Sequence, residues 1–222
     1  MISAERKPFE EIKSSIGRYK KILIVGCGTC VAECAAGGEK EVALLATQLR
    51  IDAARRRRKI EVKEMTLDRQ CVYEFIDQLT PVAEQYEVIL SLGCGAGVQA
   101  VAEVLPRTHI IPALNTTTIA ETREAGVWLE DCRGCGDCKL DYFADICPIT
   151  RCAKGLFNGP CGGSKDGRCE ADPDSPCAWQ LILDRLSATG RTESIDEVYP
   201  PANWSKMQGK GPRKIIREDQ RA

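Results

Sequence analysis

Two stretches of this chain, KKILIVGCG at residues 20–28 and EVILSLGCG at residues 87–95, decide its fold class. Each is an apolar run closed by glycine, a pattern typical of a buried strand. KIEVKEMTL at 59–67 alternates like a strand, and HIIPALN at 109–115 predicts a fourth strand, which Pro112 places at a sheet edge. Strands that alternate with helices predict βαβ units and a parallel sheet.

Helical patterns precede and separate these strands, at residues 7–19, 40–50, 72–79 and 98–105, with the third helix ending before Pro81. We therefore predict an α/β fold in which residues 20–128 form a small Rossmann-like or flavodoxin-like domain with a parallel sheet. Beyond it the periodicity is lost. Residues 129–187 are predicted to form a small cysteine-rich domain that metal stabilises, and residues 188–222 an extended C-terminal arm.

The charge and the cysteine content of the chain indicate which binding partners and which cellular compartment to expect. The 222 residues carry a net charge of −1, which gives no electrostatic reason to expect nucleic acid or a membrane surface as partner. The first twenty residues are charged throughout, and the apolar run at 22–25 is too short for a signal peptide or a membrane insertion. We expect a cytoplasmic protein. Because cytoplasmic thiols stay reduced, the 13 cysteines predict metal binding rather than disulfides.

Eight cysteines crowd into 46 residues of the predicted second domain: Cys132, Cys135, Cys138, Cys147, Cys152, Cys161, Cys169 and Cys177. A segment so short and so poor in large apolar residues cannot be stabilised by a core alone, and metal coordination would supply the missing folding energy. Eight thiolates make two four-cysteine sites.

CRGCGDC at 132–138 has the C-x2-C-x2-C spacing of a bacterial ferredoxin, and Cys147-Pro148 follows after a longer gap than in that family. Gly134 and Gly136 permit the positive φ angles that wrapping a cluster requires. We predict two [4Fe–4S] clusters, with ligands that interleave as in ferredoxins. One cluster with one zinc site, or a zinc ribbon, is the alternative.

The first domain carries five more cysteines, all at the ends of predicted strands: Cys27, Cys30, Cys34, Cys71 and Cys94. Loops at the carboxyl ends of parallel strands hold the ligand sites of such sheets. The C-x2-C-x3-C run of GCGTCVAEC at 26–34 lacks one ligand for a [4Fe–4S] cluster, which Cys94 or Cys71 could supply. Four of the five would then bind a third cluster. Alternatively, some of these cysteines are buried apolar residues.

The polar tail carries large apolar groups at Tyr199, Trp204 and Met207, and Pro200 and Pro201 would hold it extended. Such side chains anchor interfaces. We predict an interaction arm, with a disordered tail as the alternative.

CPITRCAKGLFNGPCGGSKDGRCE at 147–170, followed by CAW at 177–179, resembles a family. It is similar to the cysteine-rich small subunit beside the flavin-bearing methylenetetrahydrofolate reductases of acetogenic bacteria, and GCGTCVAEC and GCGAGVQ (93–99) resemble its N-terminal part. The resemblance covers residues 20–180. It implies a subunit of one-carbon metabolism whose clusters, held by the C-terminal cysteines, relay electrons to the flavin of the catalytic subunit from a further donor subunit or a ferredoxin.

The chain is too short to hold a catalytic barrel of its own, and no acid, base or nucleophile stands out. The sequence therefore predicts an electron-transfer subunit without catalysis of its own. The rival hypotheses are a structural zinc subunit that holds the reductase complex together, and a corrinoid- or flavin-binding enzyme.

Overall fold

A computed structural model describes residues 1–207 and 212–220. The chain divides into two compact units, Met1–Leu129 and the part from Glu130 onward. The strands and helices that lie in the first unit or begin there are, in chain order, β1 (Ile2–Arg6), α1 (Phe9–Ile16), β2 (Lys21–Cys27), α2 (Cys30–Glu33), α3 (Glu39–Arg55), β3 (Glu61–Leu67), α4 (Tyr73–Ile76), a 3₁₀ turn (Asp77–Leu79), α5 (Thr80–Ala83), β4 (Val88–Ser91), α6 (Gly95–Val104), β5 (Ile110–Pro112), β6 (Leu114–Glu124) and β7 (Val127–Cys132).

The parallel sheet has the strand order β3-β2-β4-β5, so all four predicted strands are confirmed in one sheet. Ile22 and Ile24 of β2 lie in one buried cluster, while Leu23 and Val25 lie in another. Both faces of the sheet are therefore covered, as parallel sheets require. The chain moves outward from β2 to β3 and then returns to β4 on the other side. This reversal creates a switch point between the ends of β2 and β4, where α/β sheets bind ligands.

A second, antiparallel sheet of order β1-β6-β7 was not predicted. Its strands give little apolar signal, because most side chains of β6 are exposed and several are threonine. The predicted strand at 109–115 is in fact two strands. β5 stays at the edge of the parallel sheet, as Pro112 indicated, and β6 continues into the second sheet to pair with β1 from Ile2↔Ile119 to Arg6↔Leu114. The first nineteen residues thus belong to this unit.

The predicted helix at 72–79 is also different in detail. The chain continues helically past Pro81 through α4, the 3₁₀ turn and α5. Pro81 is tolerated because it lies in the first turn of α5, where the missing N–H would have no partner within the helix.

The described residues of the second unit, up to 207 and from 212 to 220, form five short elements and one longer helix: a 3₁₀ turn at Leu140–Phe143, α7 (Pro148–Arg151), α8 (Ala178–Ala188), and 3₁₀ turns at Thr192–Asp196, Trp204–Lys206 and Glu218–Gln220. Its core is small and aromatic. Phe143 packs edge-on against Trp179 at 5.9 Å between ring centroids, and the Trp179 indole N–H donates to the Leu156 carbonyl at 3.1 Å.

The predicted arm begins with a segment that packs on this core. Tyr199 stacks on Tyr142 with ring centroids 4.5 Å apart. The Asn158 side chain donates to the Tyr199 carbonyl at 3.0 Å and accepts from its N–H at 2.9 Å. Tyr199 therefore makes contacts within the unit. Among the described residues, no helix combines the length and apolarity needed to cross a bilayer.

Candidate metal centres

A cavity of about 370 Å³ in the second unit is lined by four of its eight cysteines. These are the three of the CRGCGDC run and the one that precedes proline: Cys132, Cys135, Cys138 and Cys147. Leu140, Phe143, Pro148, Ile149 and Phe157 form much of the remaining wall. Four thiols around an apolar cavity match the ligand set and the low-polarity surroundings of a [4Fe–4S] cluster.

The loop around this cavity has the backbone that the sequence predicted. Gly134 and Gly136 adopt φ angles of 61° and 83°. This turn brings the Gly134 N–H to 3.3 Å from the Cys132 sulfur, to which it donates. The Thr150 hydroxyl donates to the Cys147 sulfur at 3.6 Å. Such donors stabilise thiolate ligands and tune the potential of a cluster that they hold.

Charged side chains near the loop are paired. Asp137, between the second and third cysteines, accepts from Lys206 at 2.9 Å and lies 3.4 Å from the Lys139 ammonium. The Lys206 hydrogen bond is the main reason why the pKa of Asp137 lies below its usual value. Lys206 thus links the 3₁₀ turn at 204–206 to the cysteine loop.

The other four cysteines, Cys152, Cys161, Cys169 and Cys177, lie outside this cavity. The segments that carry Cys169 and Cys177 pair antiparallel through the bridge between Arg168 and Pro176. The Cys169 N–H donates to the Ser175 carbonyl at 3.0 Å, and the Cys177 N–H donates to the Gly167 carbonyl at 2.8 Å. The Gly163 N–H donates to the Cys161 sulfur at 3.4 Å, and this bond is the first cause of a lowered pKa at Cys161. The cavity is lined by four cysteines that are consecutive in the sequence, and the interleaving of ligands between two clusters stays a prediction.

In the first unit, three cysteines lie at or just after the carboxyl ends of parallel strands. Cys27 is the last residue of β2, Cys71 follows β3, and Cys94 follows β4. The pKa of Cys71 is raised, first by partial burial and then by the neighbouring Cys94 and Cys27 thiols. The Cys27 thiol donates to the Asp68 carbonyl at 3.9 Å, on the loop that carries Cys71.

Cys34 is as buried as Cys27, each being 7% exposed, but its thiol has different partners. It donates to the Ala4 carbonyl of β1 at 3.6 Å and to the Val31 carbonyl at 3.7 Å. It packs within the apolar core, as the alternative of buried apolar cysteines allowed. Cys30 opens α2 and is partly buried. Within the part of the chain that the structure describes, no three His, Cys, Asp or Glu side chains stand close enough to hold one metal ion as they are placed.

A buried polar network beside these thiols was missed from the sequence. The Gln70 amide donates to the carbonyls of Val25 at 2.9 Å and Gly26 at 3.0 Å, and its oxygen accepts from the Ser91 hydroxyl at 2.6 Å. The Ser91 oxygen in turn accepts from the Gly93 N–H at 3.1 Å. A single glutamine within the polar run DRQC carries no pattern that would mark it as buried.

Part of this chain matches the sequence model of a known protein family. Residues 111–205, which are 95 of the 222, match the family model described as Methylene-tetrahydrofolate reductase C terminal. No curated protein and no solved structure matches significantly. The matched range contains all eight C-terminal cysteines and none of the five in the first unit. This part of the chain is therefore similar to the C-terminal part of methylenetetrahydrofolate reductases.

Proposed function

We propose that the chain is an iron–sulfur electron carrier that works with a flavin-containing methylenetetrahydrofolate reductase. The observation that carries this proposal is the cavity lined by Cys132, Cys135, Cys138 and Cys147. These thiolates would hold a [4Fe–4S] cluster, whose chemistry is the gain and loss of one electron at a time. Cys152, Cys161, Cys169 and Cys177 would hold a second.

The chain's own residues would prepare the first site in three ways. The positive φ angles of Gly134 and Gly136 turn the loop around the cavity. The Gly134 N–H donates to the Cys132 sulfur and the Thr150 hydroxyl donates to the Cys147 sulfur. Apolar side chains, including Phe143 and Ile149, form part of the cavity wall and would lower the polarity around a bound cluster. All three contributions would influence the reduction potential of the bound cluster, and none of them involves a proton transfer.

The family match supports the choice of partner. Reduction of methylenetetrahydrofolate needs a hydride donor, and flavins supply one. Two successive one-electron transfers from this chain would reduce such a flavin, with the two protons taken from water. We propose a further subunit or a ferredoxin as the source of the electrons, and the cytoplasm as the compartment.

A structural zinc site is the second candidate, and one observation favours it for the later cysteines. The antiparallel pairing of the segments that carry Cys169 and Cys177, with an N–H donor on the Cys161 sulfur, is also compatible with a closed four-cysteine zinc site. In that case this group of cysteines would stabilise the unit and carry no electrons.

Electron transfer can be tested directly with the flavin subunit. Chemically reduced chain is mixed anaerobically with oxidised catalytic subunit, and flavin bleaching is followed by absorbance. We expect bleaching by the natural chain and none by Cys135→Ser. Cys34→Ala, which changes a core cysteine, is the matched control and should behave like the natural chain. Equal bleaching by Cys135→Ser would contradict the proposal.

A further inference from the structure

The three strand-end cysteines of the first unit share one structural feature. Each follows directly after a residue that the buried Gln70 network holds. Cys27 follows Gly26, whose carbonyl accepts from the Gln70 amide. Cys71 follows Gln70 itself, which is 1% exposed. Cys94 follows Gly93, whose N–H is fixed by Ser91.

Close packing adds to these hydrogen bonds. A Cβ atom built on Gly93 would lie 2.7 Å from the Gln70 side-chain oxygen, and one on Gly97 would lie 2.8 Å from the Gln70 Cβ. The loop between β3 and α4 is therefore seated directly against the start of α6. Only glycine at these two positions permits that approach. The three backbone segments that present the thiols are thus connected through the Gln70 and Ser91 side chains.

These segments lie at the switch point of the sheet, between the ends of β2 and β4. Both the loop after β2 and the loop after β4 open outward here, which is where open α/β sheets place ligands. Cys30, at the first residue of α2, is three residues after Cys27, the spacing at which two thiolates can share one cluster. Cys34 is directed away, to the Ala4 carbonyl.

We propose that Cys27, Cys30, Cys71 and Cys94 hold an iron–sulfur cluster at the switch point of the parallel sheet, that Gln70 is its positioning residue, and that Cys34 is not a ligand. The inference rests on the first unit alone and is independent of the electron transfer proposed for the second.

The test compares metal content and spectra of the full chain after anaerobic purification. Cys71→Ser and Cys94→Ser should each lose about four iron atoms. The double variant should lose the same four, because both residues serve one cluster. Cys34→Ala should lose none. The proposal is overturned if Cys34→Ala loses as much iron as Cys71→Ser, if the double variant loses twice as much as either single one, if the lost metal is zinc, or if all variants keep their iron.

The positioning role of Gln70 is tested by a measurement whose result would not change if Gln70 only stabilised the fold. Gln70→Ala should release the same four iron atoms to a chelator at least tenfold faster than the natural chain. Its remaining iron should leave at the natural rate, and its far-ultraviolet circular dichroism should show a folded chain. If Gln70→Ala fails to fold, Ser91→Ala, which removes only the donor to the Gln70 oxygen, replaces it. Unchanged release from the folded variant would overturn the role of Gln70.

Discussion

Gly134 holds a backbone conformation that other residues adopt only with strain. Its φ of 61° lies in the left-handed region, and its N–H reaches the Cys132 sulfur. Gly134→Ala should lower the free energy of unfolding of the second unit by about 1–2 kcal/mol, because L-residues are disfavoured there by that amount. Denaturant titration measures the change. Gly17→Ala, at a φ of −54° and with ordinary contacts, is the control and should change stability little.

The Cys34 thiol offers a second test at the scale of one residue. Because it is a small buried apolar group with weak hydrogen bonds to backbone carbonyls, Cys34→Ala should cost about 1 kcal/mol or less of unfolding free energy. Thermal unfolding monitored by circular dichroism would show the shift. Complete loss of the folded first unit in this variant would contradict a packing role.

At the scale of the element, we expect the buried side chains of β1 to stabilise the antiparallel sheet. Ala4 is 6% exposed and pairs opposite Thr116, while its neighbour Glu5 is exposed. Ala4→Asp should destabilise the first unit by several kcal/mol, since it buries a charge without a partner. Glu5→Asp keeps the charge at the exposed neighbour and should be nearly neutral. Equal midpoints of denaturant unfolding for the two variants would contradict this account of β1.

A related prediction concerns the segment that follows α8. Tyr199→Ala should lower the stability of the second unit by roughly 2 kcal/mol, because it removes a ring stacked on Tyr142 and edge-on to Phe143 at 5.4 Å. Val198→Ala is the matched control, since Val198 is 85% exposed. Tryptophan fluorescence during unfolding would report both variants. Similar losses for the two would show that this segment does not pack as described.

The same elements show what sequence can predict. Strands β2 and β4 could be predicted because their apolar runs are long and closed by glycine. β1 and β6 could not, because β6 is largely polar on both faces and β1 is only five residues long. The cysteine spacing predicted the loop conformation at Gly134. It could not predict that Cys132, Cys135, Cys138 and Cys147 would line one cavity. That arrangement depends on the direction in which the 3₁₀ turn at 140–143 leads the chain to Cys147.

At the scale of the whole molecule, we propose Trp204 as the residue of the predicted arm that contacts a partner. It is 46% exposed, whereas Tyr199 is committed to its own unit. Trp204→Ala should weaken association with the flavin-containing reductase subunit by about tenfold or more, as loss of an interface tryptophan often does. Val198→Ala serves again as the control. Titration calorimetry would measure both, and an unchanged Kd for Trp204→Ala would contradict the predicted arm.

The central claim is that the cysteines hold iron–sulfur clusters, and metal analysis of the full chain tests it most directly. After anaerobic purification, iron, zinc and acid-labile sulfide are quantified per chain, and the dithionite-reduced protein is examined by electron paramagnetic resonance. We predict a brown protein with iron in multiples of about four, in total about eight or about twelve, matched by equal sulfide. A colourless protein that holds zinc and no iron would contradict the account.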